Sequence, residues 1–343
     1  MAERTGDEES TPEMPMAKVR KAGKPMLSVC CKVLRYVGIG LLTLIVICGM
    51  VFFTQVLRNS NGNGTLQDLS ALPDTNLRIA TYNVHYIGRR RESGLGSVNA
   101  WEERKGALNE AFGAIQADIV GFQEMETYGP RGSTTPVSNL ALDWLLEYNT
   151  DYGAAAQGDP DVFPSTQPIF YRLDRFTLLD EGWYFFSNTP DVIYSRTFDG
   201  SWAAFASWAQ FLDNSTGVTF RVVNIHTDYS SGSNRIQSAD LVAERTKPWI
   251  SAGETVFMLG DFNAMSGSPT LRAIETIGID FHSATGSTFH FNRGLNLFGA
   301  IDHIGHAGDA FEAEATTVVR RKFDGKWPTD HYPVLVDFQL NDS

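Results

Sequence analysis

Six polar clusters in this sequence each close an apolar run: Asn83, Gln123-Glu124, Asn224-Ile225-His226-Thr227-Asp228, Gly260-Asp261-Phe262-Asn263, Ile301-Asp302-His303 and Thr329-Asp330-His331. Strands that end this way present side chains to a shared rim. Carboxylates gathered on one rim repel one another unless a hard cation sits among them, and Mg²⁺ or Mn²⁺ prefers such oxygen ligands. Asparagine adds an oxygen without adding charge. A histidine beside the cluster suits a phosphate, either protonated against developing negative charge or as an acid. The combination fits metal-assisted attack of water on phosphorus. Taken singly, each cluster has a plainer reading. Gly-Asp-Phe-Asn is a β-turn with an Asx hydrogen bond, Gln123-Glu124 a solvated strand end, and Asp330-His331 ahead of Pro333 a turn ion pair. Their joint occurrence, in order, makes coincidence a poor account of the set.

The elements that must position these residues follow from periodicity. Leu77–Val84 is strand-like, and Asp118–Gln123 is a short buried strand. Between them a helical pattern starts at Trp101, with Leu108, Ala111, Phe112 and Ile115 on one face. Further strands are expected at 168–171, 176–179, 204–212, 218–226, 255–260 and 333–340. A helix is expected from about Asn234 to Thr246, stopped by Pro248. Many strands and few helices imply two packed sheets with helices outside them, a layered α/β sandwich.

From Tyr36 to Leu57 the chain carries no charge, and 22 residues at about 1.5 Å each make roughly 33 Å of helix, enough for a hydrocarbon layer of about 30 Å. Lys18, Arg20, Lys21, Lys24, Lys32 and Arg35 precede it, which predicts a single-pass signal-anchor with a cytoplasmic N-terminus. The body then lies outside the cytoplasm, in a periplasmic, luminal or extracellular space. The expected division is a disordered tail at 1–35, a transmembrane helix at 36–57, a linker at 58–76 and a catalytic domain at 77–340. All three cysteines, Cys30, Cys31 and Cys48, belong to the anchor region, which excludes thiolate zinc sites and a cysteine nucleophile in the body. The net charge is −12, and residues 1–35 carry +2, so the body is strongly acidic. That argues against a broad basic groove for duplex nucleic acid.

Thr81–Val84, Asp118–Glu124, Val223–Asp228, Leu259–Asn263, Ile301–Ile304 and Thr329–His331 together resemble the motif series of the endonuclease/exonuclease/phosphatase superfamily. The resemblance spans about residues 77–340. It implies a four-layer α/β sandwich and Mg²⁺ dependence. Carried over position by position, it implies that Glu124 is the principal metal ligand, with Asn83 and Asp330 beside it. Asp261 matches the residue that orients or deprotonates water, and Asn263 the donor to the phosphate in the transition state. His331 matches a phosphate-contacting histidine held by Asp302, and His226 a second histidine, acting as phosphate ligand or as acid. Arg104, in a Trp-x-x-Arg element with Trp101, and Arg172 and Asp228 are further candidates to touch phosphate or brace the site. The remaining histidines, His85 among them, and Trp202 read as ordinary loop or core residues.

Among activities, a metal-dependent phosphodiesterase is expected, a nuclease first. A sphingomyelinase-like lipid phosphodiesterase is second, a phosphomonoesterase third and a silent membrane-tethered binding module last. The expected partners are a nucleic acid or phospholipid substrate and the membrane itself. No protein partner is expected. Arg89-Arg90-Arg91, just after the first motif, is the exception to the acidic body: it has the charge to meet phosphates, and its plainer reading is a solvated loop tip.

Overall fold

The computed structural model describes residues 24–341, apart from 61, 63, 66, 68, 89, 90, 129–138, 160–162, 164 and 165. Most of the expected N-terminal tail, and Arg89 and Arg90, therefore lie outside the described residues. The chain forms two compact units, Met1–Phe52 and Phe53–Ser343. Along it come α1 (Lys24–Ser60), β1 (Gly64–Thr65), β2 (Asn76–Asn83), β3 (Ile87–Gly88), α2 (Val98–Ile115), β4 (Ile119–Gln123), β5 (Thr127–Tyr128) and α3 (Leu140–Tyr148). Then follow β6 (Tyr152–Ala155), β7 (Ile169–Arg172), β8 (Phe176–Phe185), β9 (Phe205–Asp213), β10 (Thr219–His226) and α4 (Gly232–Ser251). The last are β11 (Thr255–Asp261), α5 (Pro269–Glu275), β12 (Asp280–His282), β13 (Asp302–Ala307), β14 (Phe311–Val319) and β15 (Val334–Leu340).

Helix α1 leaves Leu41, Leu44 and Ile45 exposed, and from Val29 to Ser60 it is long and apolar enough to cross a membrane. It outruns the expected 36–57 at both ends, because Lys32 and Arg35 are good helix formers and the chain has no reason to unwind at them. The expected linker at 58–76 is not a free tether. Arg58–Ser60 complete α1, Asn59 is buried, and β1 pairs in parallel with β14.

Two mixed sheets make the second unit, in the orders β1-β14-β15-β2-β4-β7-β6 and β12-β13-β11-β10-β9-β8, with β3 and β5 a small extra pair. The period-2 alternation of the strands sorts their side chains into layers. Leu77 and Ile79 of β2 meet Phe220 and Val222 of β10, and Phe257 and Leu259 of β11, between the sheets. Ala80 and Tyr82 of β2 face the other way, onto Leu108, Phe112 and Leu145 of α2 and α3. Val223, Ile225, Val256 and Met258 face Ala239, Val242, Leu271 and Ile274 of α4 and α5. Helix, sheet, sheet and helix make the four-layer sandwich. Helix α4 runs through Pro248 to Ser251, where the sequence pattern predicts a stop. The lost amide bond is offset by packing of Trp249 on Trp208, ring centroids 5.2 Å apart, and by the bond from Ala252 N to the Pro248 carbonyl.

Following the inward alternation to the strand ends gives Asn83, Gln123, His226, Asp261 and Asp302, all on the face between the sheets. Gly260, just before Asp261, has φ +145°, and a Cβ there would press on the backbone of Ile225 in the paired strand. Gly260→Ala is therefore expected to cost at least about 2 kcal/mol of stability, measured as a lowered urea midpoint. An unchanged midpoint would show that the β10–β11 approach is not tight.

Candidate active site

Three neighbouring strands put their last or first residues side by side: His226 of β10 is in register with Asp261 of β11, which is in register with Asp302 of β13. In the other sheet Asn83 pairs with Gln123, so Glu124 follows directly at the facing edge. The two edges are joined by Asn83, whose Nδ2 donates to Glu124 Oε1 at 3.2 Å and to Asp261 Oδ2 at 3.1 Å. Its oxygen accepts from the His85 amide at 3.1 Å. Below this row a polar layer ties the sheets: Gln123 Nε2 donates to Asn224 Oδ1 at 2.7 Å, and Asn224 Nδ2 donates to the carbonyls of Phe122 and Gln167.

His331, in the turn before β15, directs Nδ1 at Asp302 (3.0 and 3.2 Å to its two oxygens) and Nε2 toward Asp261 Oδ2 at 3.8 Å. His226 Nε2 lies 3.7 Å from the same oxygen and 3.9 Å from Glu124 Oε1. Asn263 N donates to Asp261 Oδ1 at 2.9 Å, and its Nδ2 to the Thr227 carbonyl at 3.0 Å. Glu124, Asn263 and His85 all have positive φ, near +55°, +45° and +55°. Strained backbone of this kind persists where its surroundings hold it, and it clusters at functional sites.

The electrostatics follow from burial and proximity. Burial raises the Asp261 carboxyl above the usual range, Asp302 adds to this, and His331 and His226 oppose it. For His331 burial works against the charged form. The Asp302 carboxylate outweighs it, with Asp261 and Asp330 adding to the effect, and holds the imidazole protonated up to about 10. Burial raises Glu124 as well, but His226, His85 and His331 bring it below the ordinary range.

One cavity of about 790 Å³ exposes the carboxylates of Glu124, Asp261 and Asp330 with the imidazoles of His85, His226 and His331. With Glu126 four carboxylates line this space, against the Arg91 guanidinium and the imidazoles, an acidic excess that fits a hard divalent cation. Asp261, Asp302 and His331 also cluster within 4.8 Å. Asp302, however, is fully buried with both oxygens on His331, which suits it to orienting that ring.

Arg172 is a correction. It sits where β7 meets Asp118, at the opposite end of β4, and pairs with Asp174 at 2.7 Å, because the antiparallel register carries it away from the rim. Arg104 braces without reaching the cavity: its guanidinium donates to the carbonyls of Val84, His85 and Pro328, fastening the end of β2 to the Thr329–His331 turn. Burial lowers its affinity for the proton to about 10. Asp228 is buried and accepts from the hydroxyls and amides of Ser201 and Ser230 and the amide of Ser231. It thereby holds the loop that lays Trp202 against His226, ring centroids 4.7 Å apart.

His85 and Trp202, read from sequence as ordinary, both line the cavity, as do Tyr86, Arg91, Tyr229 and Phe289. Arg91 belongs to the basic cluster singled out in the sequence; of the others only His85 carried a usable signal, its place two residues after Asn83. Arg91 lies over the Tyr86 ring at 4.9 Å.

Burial opposes ionisation of Asp228, but the hydroxyl and amide donors prevail and depress its pKa. A depressed carboxylate stabilises the fold above its unfolded value, about 4, and that contribution fades as pH falls below it. Asp228→Asn should therefore cost about 1–3 kcal/mol at pH 7 and clearly less at pH 3, read from urea unfolding. An equal cost at both pH values would contradict the assignment.

Solved structures share this fold. An endonuclease/exonuclease/phosphatase from Bacteroides vulgatus is 24% identical, with TM-score 0.64 over 78% of this chain and 100% of that one. A mannosyl-6-phosphatase from Bacteroides thetaiotaomicron is 24% identical, with TM-score 0.62 over 77% and 100%. TDP2 from D. rerio, complexed with single strand DNA product, is 15% identical, with TM-score 0.54 over 78% and 100%. No curated protein matches the chain in sequence. The Endonuclease/Exonuclease/phosphatase family model matches residues 80–331, a span that holds Asn83 and His331 and every strand end between them. The chain belongs to the endonuclease/exonuclease/phosphatase family.

Proposed function

We propose that this chain is a membrane-anchored, divalent-metal-dependent phosphodiesterase, with α1 as its anchor, its N-terminus in the cytoplasm and residues 77–340 as a catalytic domain on the far side. The observation that carries the reading is the register row His226, Asp261 and Asp302, joined through Asn83 to Glu124 of the other sheet, with His226, Asp261 and Glu124 opening on one cavity. Glu124, with Asp330 beside it, would hold Mg²⁺ or Mn²⁺, whereas Asn83, expected from sequence as a further ligand, turns Nδ2 to Glu124 and gives its oxygen to the His85 amide, so it positions that carboxylate. Such an ion, when bound, polarises the phosphoryl oxygens and offsets their charge.

The chain's own groups divide the remaining work. Asp261, raised by burial, orients the attacking water and takes one of its protons. His331, kept protonated by Asp302, meets a phosphoryl oxygen as charge develops, and Asn263 does so from the other side of Asp261. His226 gives a proton to the leaving oxygen. The water oxygen bonds to phosphorus as one ester P–O bond breaks, giving an alcohol and a phosphate monoester. A nuclease is the second reading, supported by Arg91 over Tyr86 with Trp202 in the same cavity, a cation and ring faces on which a base could stack. The family fold also carries a named sugar phosphatase and a protein holding DNA product, so the fold does not fix the substrate.

The test is hydrolysis of bis-(p-nitrophenyl) phosphate and of a single-stranded oligonucleotide by the full chain with Mg²⁺ or Mn²⁺. Asp261→Ala and His331→Ala should each lower kcat by at least 10²–10³-fold, about 3–4 kcal/mol, while Arg172→Ala stays within about twofold. Loss of activity on chelation by EDTA, restored by either ion, is the companion result. An active Asp261→Ala protein or EDTA-resistant turnover would refute the mechanism.

A further inference from the structure

Beside the central cavity lies a second, of about 740 Å³, and the two share Tyr229, Asn263, Phe289 and Ile301. The second is apolar in character, with Ile236, Met265, Pro269 and Phe298 on its walls. Met265 is 53% exposed and Phe298 51%. From His331 a ladder of rings leads outward: Phe289 at 5.0 Å, Phe291 4.4 Å beyond it and Phe298 6.0 Å beyond that. Exposed apolar side chains gathered at the mouth of a polar site ask for an apolar cover.

The same segment is where the chain enters the catalytic unit. Asn59 accepts from Ser287 N at 2.9 Å and donates from Nδ2 to the Leu297 carbonyl at 2.9 Å, and Asn296 Nδ2 donates to Ser60 Oγ at 3.0 Å. Asn59 and Ser60 end α1, the one described helix long and apolar enough to cross a membrane. Residues 287–298, which hold the exposed rings, are thus fastened directly to the end of that helix.

Resting on the phosphodiesterase reading above, we propose that the apolar trough takes the acyl-bearing part of a bilayer phospholipid, whose phosphodiester then lies in the central cavity. The two features need one molecule that joins a phosphate to a large apolar group. Tethering to the bilayer raises the effective concentration of such a substrate at the trough. A nucleic acid strand would need cations along its path. Among the described residues lining the trough the cation is Arg235, whose guanidinium donates to the carbonyls of Asp228 and Tyr229. Hydrolysis follows the course already given: water adds to phosphorus, one ester P–O bond breaks, and an alcohol and a phosphate monoester result.

The experiment uses the full chain reconstituted in vesicles of phosphatidylcholine and phosphatidylglycerol with Mg²⁺ or Mn²⁺. Lipid hydrolysis is measured beside that of bis-(p-nitrophenyl) phosphate and a single-stranded oligonucleotide. The wild-type chain should hydrolyse the vesicle lipid. Met265→Asp and Phe298→Asp should each lower the ratio of lipid to soluble-ester turnover at least fivefold, the soluble ester reporting that the variant is folded. A smaller change in that ratio overturns the trough as lipid subsite. So does a wild-type chain that cleaves the soluble ester or the oligonucleotide but no lipid, which leaves the phosphodiesterase reading intact. A chain that cleaves none of the three removes the phosphodiesterase reading itself.

Discussion

The crowding of buried acids where two sheets meet is the constraint on which the rest of this structure depends. Asp261 is 2% exposed and Asp302 is fully buried, in a cluster with His331 whose ligand-type atoms lie within 4.8 Å of one another. Two like charges at that distance repel by roughly 3–4 kcal/mol at an effective dielectric constant of about 20. Such a pair survives in a folded protein only with counter-charge and hydrogen bonds at close range. The structure supplies Asn83 as a neutral donor shared between Glu124 and Asp261, His331 as a cation held by Asp302, and His226 across from both. What remains is net acidity facing the cavity, the quality a divalent cation recognises.

Much of the sandwich serves to hold those charges at close quarters. The apolar core between the sheets, with Phe220, Phe257 and Phe338 at its centre, gives way near the rim to the layer of Thr81, Gln123, Gln167 and Asn224. Gln123 bonds both Thr81 and Asn224, and the amide nitrogens of Asn224 and Gln167 donate to backbone carbonyls, so hydrogen bonds tie the two sheets beneath the site. Loops then complete the walls. Arg104 fastens the turn that carries Asp330 and His331, and Asp228 fixes the loop that carries Trp202. Charge, fold and cavity are consequences of one arrangement.

The sequence made the row of site residues legible because strands alternate with period 2. Leu77, Ile79, Thr81 and Asn83, or Phe257, Leu259 and Asp261, are inward-facing runs that start apolar and end polar. Asp302 and His331 were legible as a pair only through the family resemblance and not from any local pattern, since their bond joins positions 29 apart in the chain. Arg172 misled because a strand-end arginine looks the same at either end of a sheet, and only the antiparallel pairing of β7 with β4 decides which. His85 and Trp202 were lost for a different reason. A loop residue's direction depends on positive φ values and on contacts such as Trp202 with His226, which no local pattern encodes. Pro248 was read as a stop by its local cost, which tertiary packing of Trp249 offsets.

The central proposal is that Glu124, with Asp330, holds a divalent cation in the cavity that Asp261 also lines. Anomalous diffraction from crystals of the full chain grown with Mn²⁺ tests it most directly. The account predicts an anomalous peak within coordination distance of Glu124, in the cavity it shares with Asp261 and Asp330, about 2.2 Å being usual for an oxygen ligand on such an ion. Crystals with Mn²⁺ bound elsewhere, or with no peak beside Glu124 at saturating Mn²⁺, would contradict it.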